Sequence, residues 1–559
     1  MSTRPFSLKY RRDERDDAVE EPLDVLVVGM GATGAGVALD AASRGMRVAV
    51  VDKGDVAAGT SSKSSKLIHG GLRYLENYEF GLVREGVVER QLLLELAPHL
   101  VRPMTFVYPV WPDTARRRLL GLGMATYDVF AGFRNVRRHD RVTAQEAVEL
   151  APALERSGLS YAYTYGDCAT DDARLVLAVV QAARRFDALT LPYTNVVGLL
   201  KDHNDQVIGA TCADRLTGET YQLRARHVVN ATGVWVDTLL TAAEPARKPM
   251  VTPSKGVHIV VPSERLPLTE SAVILPSKQG DGRSMFAIPW GHQTILGTTD
   301  TAYDGPLDAI SMDAEDLDYI LESGNLVFNR GLTAEDVVGA WAGVRPLLRP
   351  SEGGDGSMSD LSRKHTVVES TTGLLTITGG KLTTYRRMAQ DVVDRIVERD
   401  GHKARCRTQE IPLGCARPLA EITADAVTAA HAVGLPEEVA KLMVRQHGES
   451  APDVLSLAAV RPELEARLSP AADHILAEVV YAVRHEGAST LDDVMSRRTR
   501  ISLRARDAGL PQAHAAAALM ASELGMDDEW QRDQIKTYVA AVRTERGVAA
   551  LDDLQALGA

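Results

Sequence analysis

The run Gly29-Met30-Gly31-Ala32-Thr33-Gly34 restricts this chain more than any other feature. It follows a short apolar stretch, Asp24 to Gly29, that reads as a buried parallel strand. It opens an alanine-rich segment of helical rhythm that stops at Arg44-Gly45, and Met46 to Asp52 is then a second apolar strand. In such a GxGxxG run the first glycine permits the tight turn. The second lets the backbone approach a pyrophosphate, and the third lets the helix pack close to the sheet. The helix N-terminus adds free N–H groups and its positive dipole end. Asp52 ends the second strand at the distance where an acid accepts ribose hydroxyls, and an acid there disfavours a 2′-phosphate. A Rossmann-type βαβ unit that holds a dinucleotide is therefore expected at the start of the fold. Gly29, Gly31, Ala32, Thr33, Gly34 and Asp52 are its candidate cofactor-binding residues.

The rest of the chain is long enough for several domains, with 559 residues. Parallel-type pieces recur late: Arg224 to Gly233 is a strand ending in a small-residue turn, and Gly373 to Asp400 is a strand, a Gly-Gly turn and an amphipathic helix. Between them KGVHIVVP, AVILP, MFAIPW and TILGTTD are short strands separated by turn residues, as in an antiparallel sheet. After about Cys415 the chain is alanine- and leucine-rich, with helical periodicity and almost no strand signal. The expected class is α/β: a Rossmann-type cofactor domain, an interleaved antiparallel-sheet substrate domain and a C-terminal helical domain. The expected boundaries are a mobile tail over 1–20, a cofactor domain of about 21–90, 160–240 and 355–415, insertions at about 91–159 and 241–354, and helices over 416–559.

Composition narrows the function. The formal net charge of -12 argues against nucleic acid, whose phosphates need a concentrated basic surface. Cys168, Cys212, Cys406 and Cys415 form no CxxC pair and no disulfide framework, so reduced thiols in a cytoplasmic protein are expected. The N-terminus lacks the apolar core of a secretory signal, and no run approaches about 18 apolar residues, so no transmembrane helix is expected. HExxH, Walker A and GxSxG are absent, and no metal is implied. Two features favour FAD over NAD. The unit opens a long chain whose later βα segments could lie along an extended cofactor, and Gly379-Gly380 opens a late helix whose N-terminus suits the charge of a reduced flavin.

Specific blocks then appear. Thr60 to Leu75, reading TSSKSSKLIHGGLRYL, resembles the signature of FAD-dependent glycerol-3-phosphate dehydrogenases, within the D-amino-acid-oxidase-like flavoproteins. Tyr165 to Val176, Asn230 to Gly233, Lys255 to His258, Gly297 to Asp300, Gly343 to Leu347, Gly379 to Arg386 and Arg497 to Arg500 are similar to further blocks of that family, in family order, over about residues 22–505. The chain departs at Asp52, where Glu is commoner, at Val234, where Pro is frequent, and in a longer N-terminal tail.

The resemblance implies hydride transfer from C2 of sn-glycerol 3-phosphate to FAD. That chemistry needs cations for a dianionic phosphate and a base for the C2 hydroxyl proton. It points to His258, Arg345 and Lys381 as catalytic, with Arg73, Tyr74, Thr298 and Arg363 as further substrate contacts. Arginine suits phosphate through its planar fork, and imidazole suits proton abstraction near neutral pH. A hydrogen-bonded core histidine is the competing reading of His258, and a solvated surface arginine that of Arg73, Arg345 and Arg363. Between Thr298 and Thr299 the sequence does not choose firmly. Further cofactor contacts are expected at Thr60, Ser61, Ser62, Ser65, Lys66, Leu67, His69, Gly70, Gly71, Ala231, Thr232, Gly233, Gly380, Lys381, Leu382 and Thr383, with Lys381 able to serve either the substrate or the flavin. Thr383 could equally cap the late helix.

A quinone is the expected electron acceptor, with oxygen as the alternative. Ala115 to Tyr127 joins three arginines to an apolar stretch, as an interfacial helix does, which suggests peripheral attachment at the inner membrane face. A core helix with a basic edge reads equally well there. An amine or amino-acid oxidase and a non-catalytic flavin-binding scaffold are the competing functions. Capping of the cofactor domain and self-association, as in a homodimer, are the two expected roles for the helical region.

Overall fold

The computed structural model describes residues 4–72, 79–112, 117–276, 284–349, 364–401 and 403–549. Arg73, Tyr74 and Arg363 lie outside the described residues, as does the start of the Ala115 to Tyr127 segment.

The predicted βαβ unit is β1 (Leu23–Val28), α2 (Ala32–Ser43) and β2 (Val48–Val51), with β1 and β2 parallel. These strands are short apolar runs because both faces are covered, one by helices and the other by the hairpin over 194–214 with the helix Val236–Ala243, so neither face needs polar alternation. Among the described residues they sit in a sheet of strand order 366–369, 375–378, 220–230, β1, β2, 189–191, extended by an antiparallel hairpin over 194–214. Helices Asp172–Arg184 and Tyr385–Arg399 flank α2 on one side.

A second sheet carries the strand Val251–Pro262 between Gln293–Gly297 and Gly339–Leu348, both antiparallel to it. It continues through Ser284–Trp290 and Ser271–Pro276 to Arg102–Val110, Tyr161–Ala169 and Leu67–Ile68. It is antiparallel apart from one parallel pairing, Ser271–Val273 beside Thr105–Val107. Tyr161–Ala169, assigned by sequence to the cofactor half, pairs with Arg102–Val110 in this second sheet. A strand and the helix after it can serve different layers, and residue pattern alone does not reveal the partner.

Two expectations are corrected. Residues 8–20 form a packed helix, α1 (Leu8–Glu20), capped by Ser7, rather than a loose tail. Its charged composition hides a stripe, Arg11, Glu14 and Ala18, that turns inward. Arg11 pairs with Asp214 and donates to the Pro192 carbonyl at 3.0 Å, while Glu14 meets Arg184 at 2.6 Å. The helix thus lies against the edge strand Leu189–Leu191 and blocks further pairing there. The C-terminal region is helical but includes a two-stranded ribbon, Arg467–Ser469 with Ala472–Ile475, where a strand was not expected. No helix among the described residues is long and apolar enough to cross a membrane. All four cysteines are free, and Cys168, Cys212 and Cys415 are buried.

Candidate active site

One cavity of about 1280 Å³ runs between the two sheets and holds most of the candidate residues. At one end Gly29 turns with φ +106, and Gly31, Ala32 and Thr33 face the opening at the start of α2. The third glycine is fixed by packing: a Cβ at Gly34 would stand 1.8 Å from the Gly29 carbonyl oxygen. Asp52 lines the cavity and accepts from the Met30 N–H at 2.6 Å and the Gly54 N–H at 2.9 Å, so it braces the glycine turn. Burial raises its carboxyl, and those two N–H groups act against the rise. The Ala32 N–H at the start of α2 donates to Ser61 Oγ at 2.9 Å, which ties the 60–65 loop to the helix N-terminus.

At the other end five separated segments meet. His258 is buried and stacks on Trp341, with ring centroids 4.8 Å apart. Its Nε2 lies 2.8 Å from Ser65 Oγ, and its Nδ1 has no hydrogen-bond partner among the described residues. Burial first, then the Arg345 and Lys66 cations, hold the imidazole well below its ordinary value. Its resting form is therefore neutral, as a proton acceptor requires. A Cβ at Gly297 would stand 2.4 Å from His258 Cδ2, so this glycine admits the ring.

Arg345 follows from strand register: Ser254 is its partner across the sheet, as Trp341 is that of His258. Arg345 Nη2 donates to Thr298 Oγ1 at 3.0 Å and Nη1 to Asp300 Oδ1 at 3.2 Å. Asp300 also accepts from the Ser254 hydroxyl. The guanidinium is thus oriented before any ligand arrives. The choice between the threonines is structural: Thr298 lines the cavity, whereas Thr299 is buried with its Oγ1 accepting from the Val257 N–H at 3.0 Å.

Thr60, Ser65, Leu67, His69, Gly71, Ala231, Thr232, Gly233, Gly380, Lys381, Leu382 and Thr383 also line the cavity. Thr383 Oγ1 accepts from the His69 N–H at 3.2 Å, joining the late glycine turn to the early loop. Four expected contacts are not among the residues that line the cavity. Gly34 packs on β1. Ser62 donates to Gly59 O at 3.4 Å, and the Gly70 N–H donates to Asp167 at 3.0 Å. The Lys66 ammonium turns away to Asp172 at 2.9 Å and lies 4.7 Å from the centre of the Trp341 ring.

Sequence reasoning missed Trp341, Asp300, Lys63 and Arg497, which stand in or beside quoted blocks, and Asp492 and Glu545, which carry no local signal. Beside the flavin-type pocket an apolar arm includes Leu72, Phe80, Phe106, Leu120, Met124 and Phe286.

Comparison with known proteins agrees with this geometry. Residues 24–386 match the FAD-dependent oxidoreductase family, and residues 406–531 match the C-terminal domain of alpha-glycerophosphate oxidase. The chain is 39% identical over 527 residues to a glycerol-3-phosphate dehydrogenase of Mycobacterium leprae, covering 94% of this chain and 89% of the relative. It is 36% identical over 550 residues to the mitochondrial glycerol-3-phosphate dehydrogenase of Macaca fascicularis, covering 94% of this chain and 74% of that protein. The crystal structure of a glycerol-3-phosphate dehydrogenase from Bacillus halodurans complexed with FAD superposes with a TM-score of 0.81 at 31% identity, covering 97% of this chain and 98% of that one.

Proposed function

The chain belongs to the family of FAD-dependent oxidoreductases, and from that premise we propose that it oxidises sn-glycerol 3-phosphate to dihydroxyacetone phosphate and passes the electrons to a quinone. One observation carries the reading: a neutral, buried His258 and a pre-oriented Arg345 face the same cavity as the glycine cradle. The residues fit FAD. The cavity exceeds the roughly 300–1,000 Å³ of a drug-sized site, leaving room for an extended dinucleotide and a small substrate. Gly31, Ala32 and Thr33 would face the pyrophosphate, Asp52 the ribose, and Gly380 to Thr383 the flavin ring.

FAD, when bound, supplies the acceptor for the hydride on C2. The protein supplies everything else. Arg345 and Lys381 bring positive charge to the dianionic phosphate. His258 takes the C2 hydroxyl proton as the carbonyl forms, with Ser65 holding Nε2 and the Trp341 face fixing the ring plane. The phosphate dianion offsets the Arg345 and Lys66 cations, so substrate binding raises the basicity of His258 at the moment it is needed. Arg73 and Tyr74 belong to the same reading through the Thr60 to Leu75 block, and Arg363 as a further candidate cation for the phosphate.

The apolar arm supports a quinone as acceptor, since a quinone ring needs an aromatic and aliphatic approach to the reduced cofactor. Peripheral membrane attachment is supported by Val129, which is 79% exposed at the end of the helix Arg117–Ala131, beside the stacked Phe80–Phe130 pair. Anaerobic addition of glycerol 3-phosphate should bleach the flavin, while a panel of amino acids should not. A flavin that amino acids bleach and glycerol 3-phosphate does not would sink the substrate assignment. Short-chain quinone should reoxidise the reduced enzyme faster than oxygen does. Flotation with anionic liposomes at low salt should carry the protein upward, and failure to float removes the membrane reading.

A further inference from the structure

We propose that the C-terminal helical region is a working wall of the flavin site: Glu545 fixes Lys63, and through Lys63 holds the 60–65 loop in its cofactor-binding position. The inference rests on the FAD reading and goes beyond it by assigning a positioning pair, Lys63 and Glu545.

Lys63 stands midway in a loop that touches both ends of the cavity. Two residues before it, Ser61 accepts from the first N–H of α2, and two residues after it, Ser65 meets His258. Lys63 therefore couples the phosphate end to the chemical end. Lys63 packs closely over Gly343 of the second sheet, where an added Cβ would stand 2.7 Å from Lys63 Cβ and 3.0 Å from its carbonyl oxygen. Its ammonium pairs with the Glu545 carboxylate, on the helix Asp528–Arg546, and both side chains line the cavity with 21% and 15% exposure.

The wall is continuous on that side. Asp492, Arg497, Ala541 and Thr544 also line the cavity, and all lie in the C-terminal region. Arg497 and Arg498 each reach Asp55 at 2.7 Å, at the start of the same stretch. Arg500 meets Asp172, which also receives Lys66, so the far end of the loop is held from the same region. Burial pushes the Lys63 ammonium down to about 7, with Asp492 acting to raise it and Arg497, Arg500 and Lys66 acting to lower it further.

The test is FAD titration into deflavinated full-length protein, for Lys63→Met, Glu545→Gln, Lys63→Arg and the exchanged pair Lys63→Glu with Glu545→Lys. Loss of the half-buried pair should weaken FAD binding about tenfold and shift the visible flavin spectrum. Lys63→Arg and the exchanged pair should restore affinity to within about threefold. Affinities of Lys63→Met and Glu545→Gln equal to wild type within about twofold overturn the proposal, whatever their melting temperatures. So does a weakened affinity that neither restoring variant recovers. Should Lys63→Met fail to fold, Glu545→Gln, at the end of a half-exposed helix, decides alone. A wild-type chain that takes up no FAD overturns the cofactor assignment, which separates that failure from this one.

Discussion

The two ends of the cavity are built on opposite plans. The phosphate end is one contiguous stretch, Gly29 to Asp52, in which backbone geometry does the work and side chains are mostly absent. The chemical end gathers His258, Thr298, Arg345, Lys381 and the Ser65 loop from five segments, and charge and orientation do the work. The difference separates two failures. The first end loses the cofactor when an atom is added. The second keeps the cofactor and loses turnover when a charge is removed.

The largest expected effect tests the first half of that contrast. Gly34→Ala places a methyl group against the Gly29 carbonyl, backbone against backbone, with no side chain free to yield. A destabilisation of about 3 kcal/mol and a colourless purified protein are expected, read by denaturant unfolding and visible absorbance. A yellow, stable Gly34→Ala enzyme would break the comparison. His258→Ala tests the second half: the flavin should remain at wild-type content while the single-turnover rate falls about 10²- to 10⁴-fold. Loss of flavin in that variant would blur the two ends into one.

Arg345→Met should cost about 1.5–3 kcal/mol of transition-state binding, seen as a fall of roughly 10- to 160-fold in kcat/KM. It also sharpens the pH argument. Because burial, Arg345 and Lys66 lower His258 in the folded state, the neutral base should persist to pH values below the ordinary imidazole value of about 6.5. The acid limb of kcat/KM should therefore lie below that value and move up in Arg345→Met. The same shift gives folding stability that is present above the unfolded value and is lost as pH falls through the folded one. An acid limb unmoved by Arg345→Met would remove His258 as the titrating base.

The smallest effect is expected at Lys53 and Asp308, an ion pair near the Asp52 end with side chains 32% and 71% exposed. Asp308→Asn should change FAD affinity by about 0.2–1 kcal/mol, less at high salt. A larger loss would mean that side-chain charge matters at the phosphate end after all.

Local order explains what could be read in advance. The cradle is a strand, a turn and a helix adjacent in sequence, so spacing alone exposes it. His258 and Arg345 were legible through their blocks, but not the register that sets them on neighbouring strands, nor Trp341 beneath the imidazole. Lys66 looked like its neighbours in a serine-rich run, yet a φ of +57 and Asp172 turn its ammonium away. The charged stretch 8–20 read as a tail because its inward stripe is made of Arg11 and Glu14, whose partners Asp214 and Arg184 lie far along the chain.

By itself the sequence determined a dinucleotide cradle, an interleaved second sheet, a helical C-terminus and the family, because each rests on neighbours in the chain. Only the tertiary structure decided that Thr298 rather than Thr299 faces the cavity, that Asp300 orients Arg345, and that Glu545 meets Lys63. Those outcomes depend on strand register and on packing between distant segments. Long-range contacts of that kind leave no period, spacing or composition behind in the linear chain.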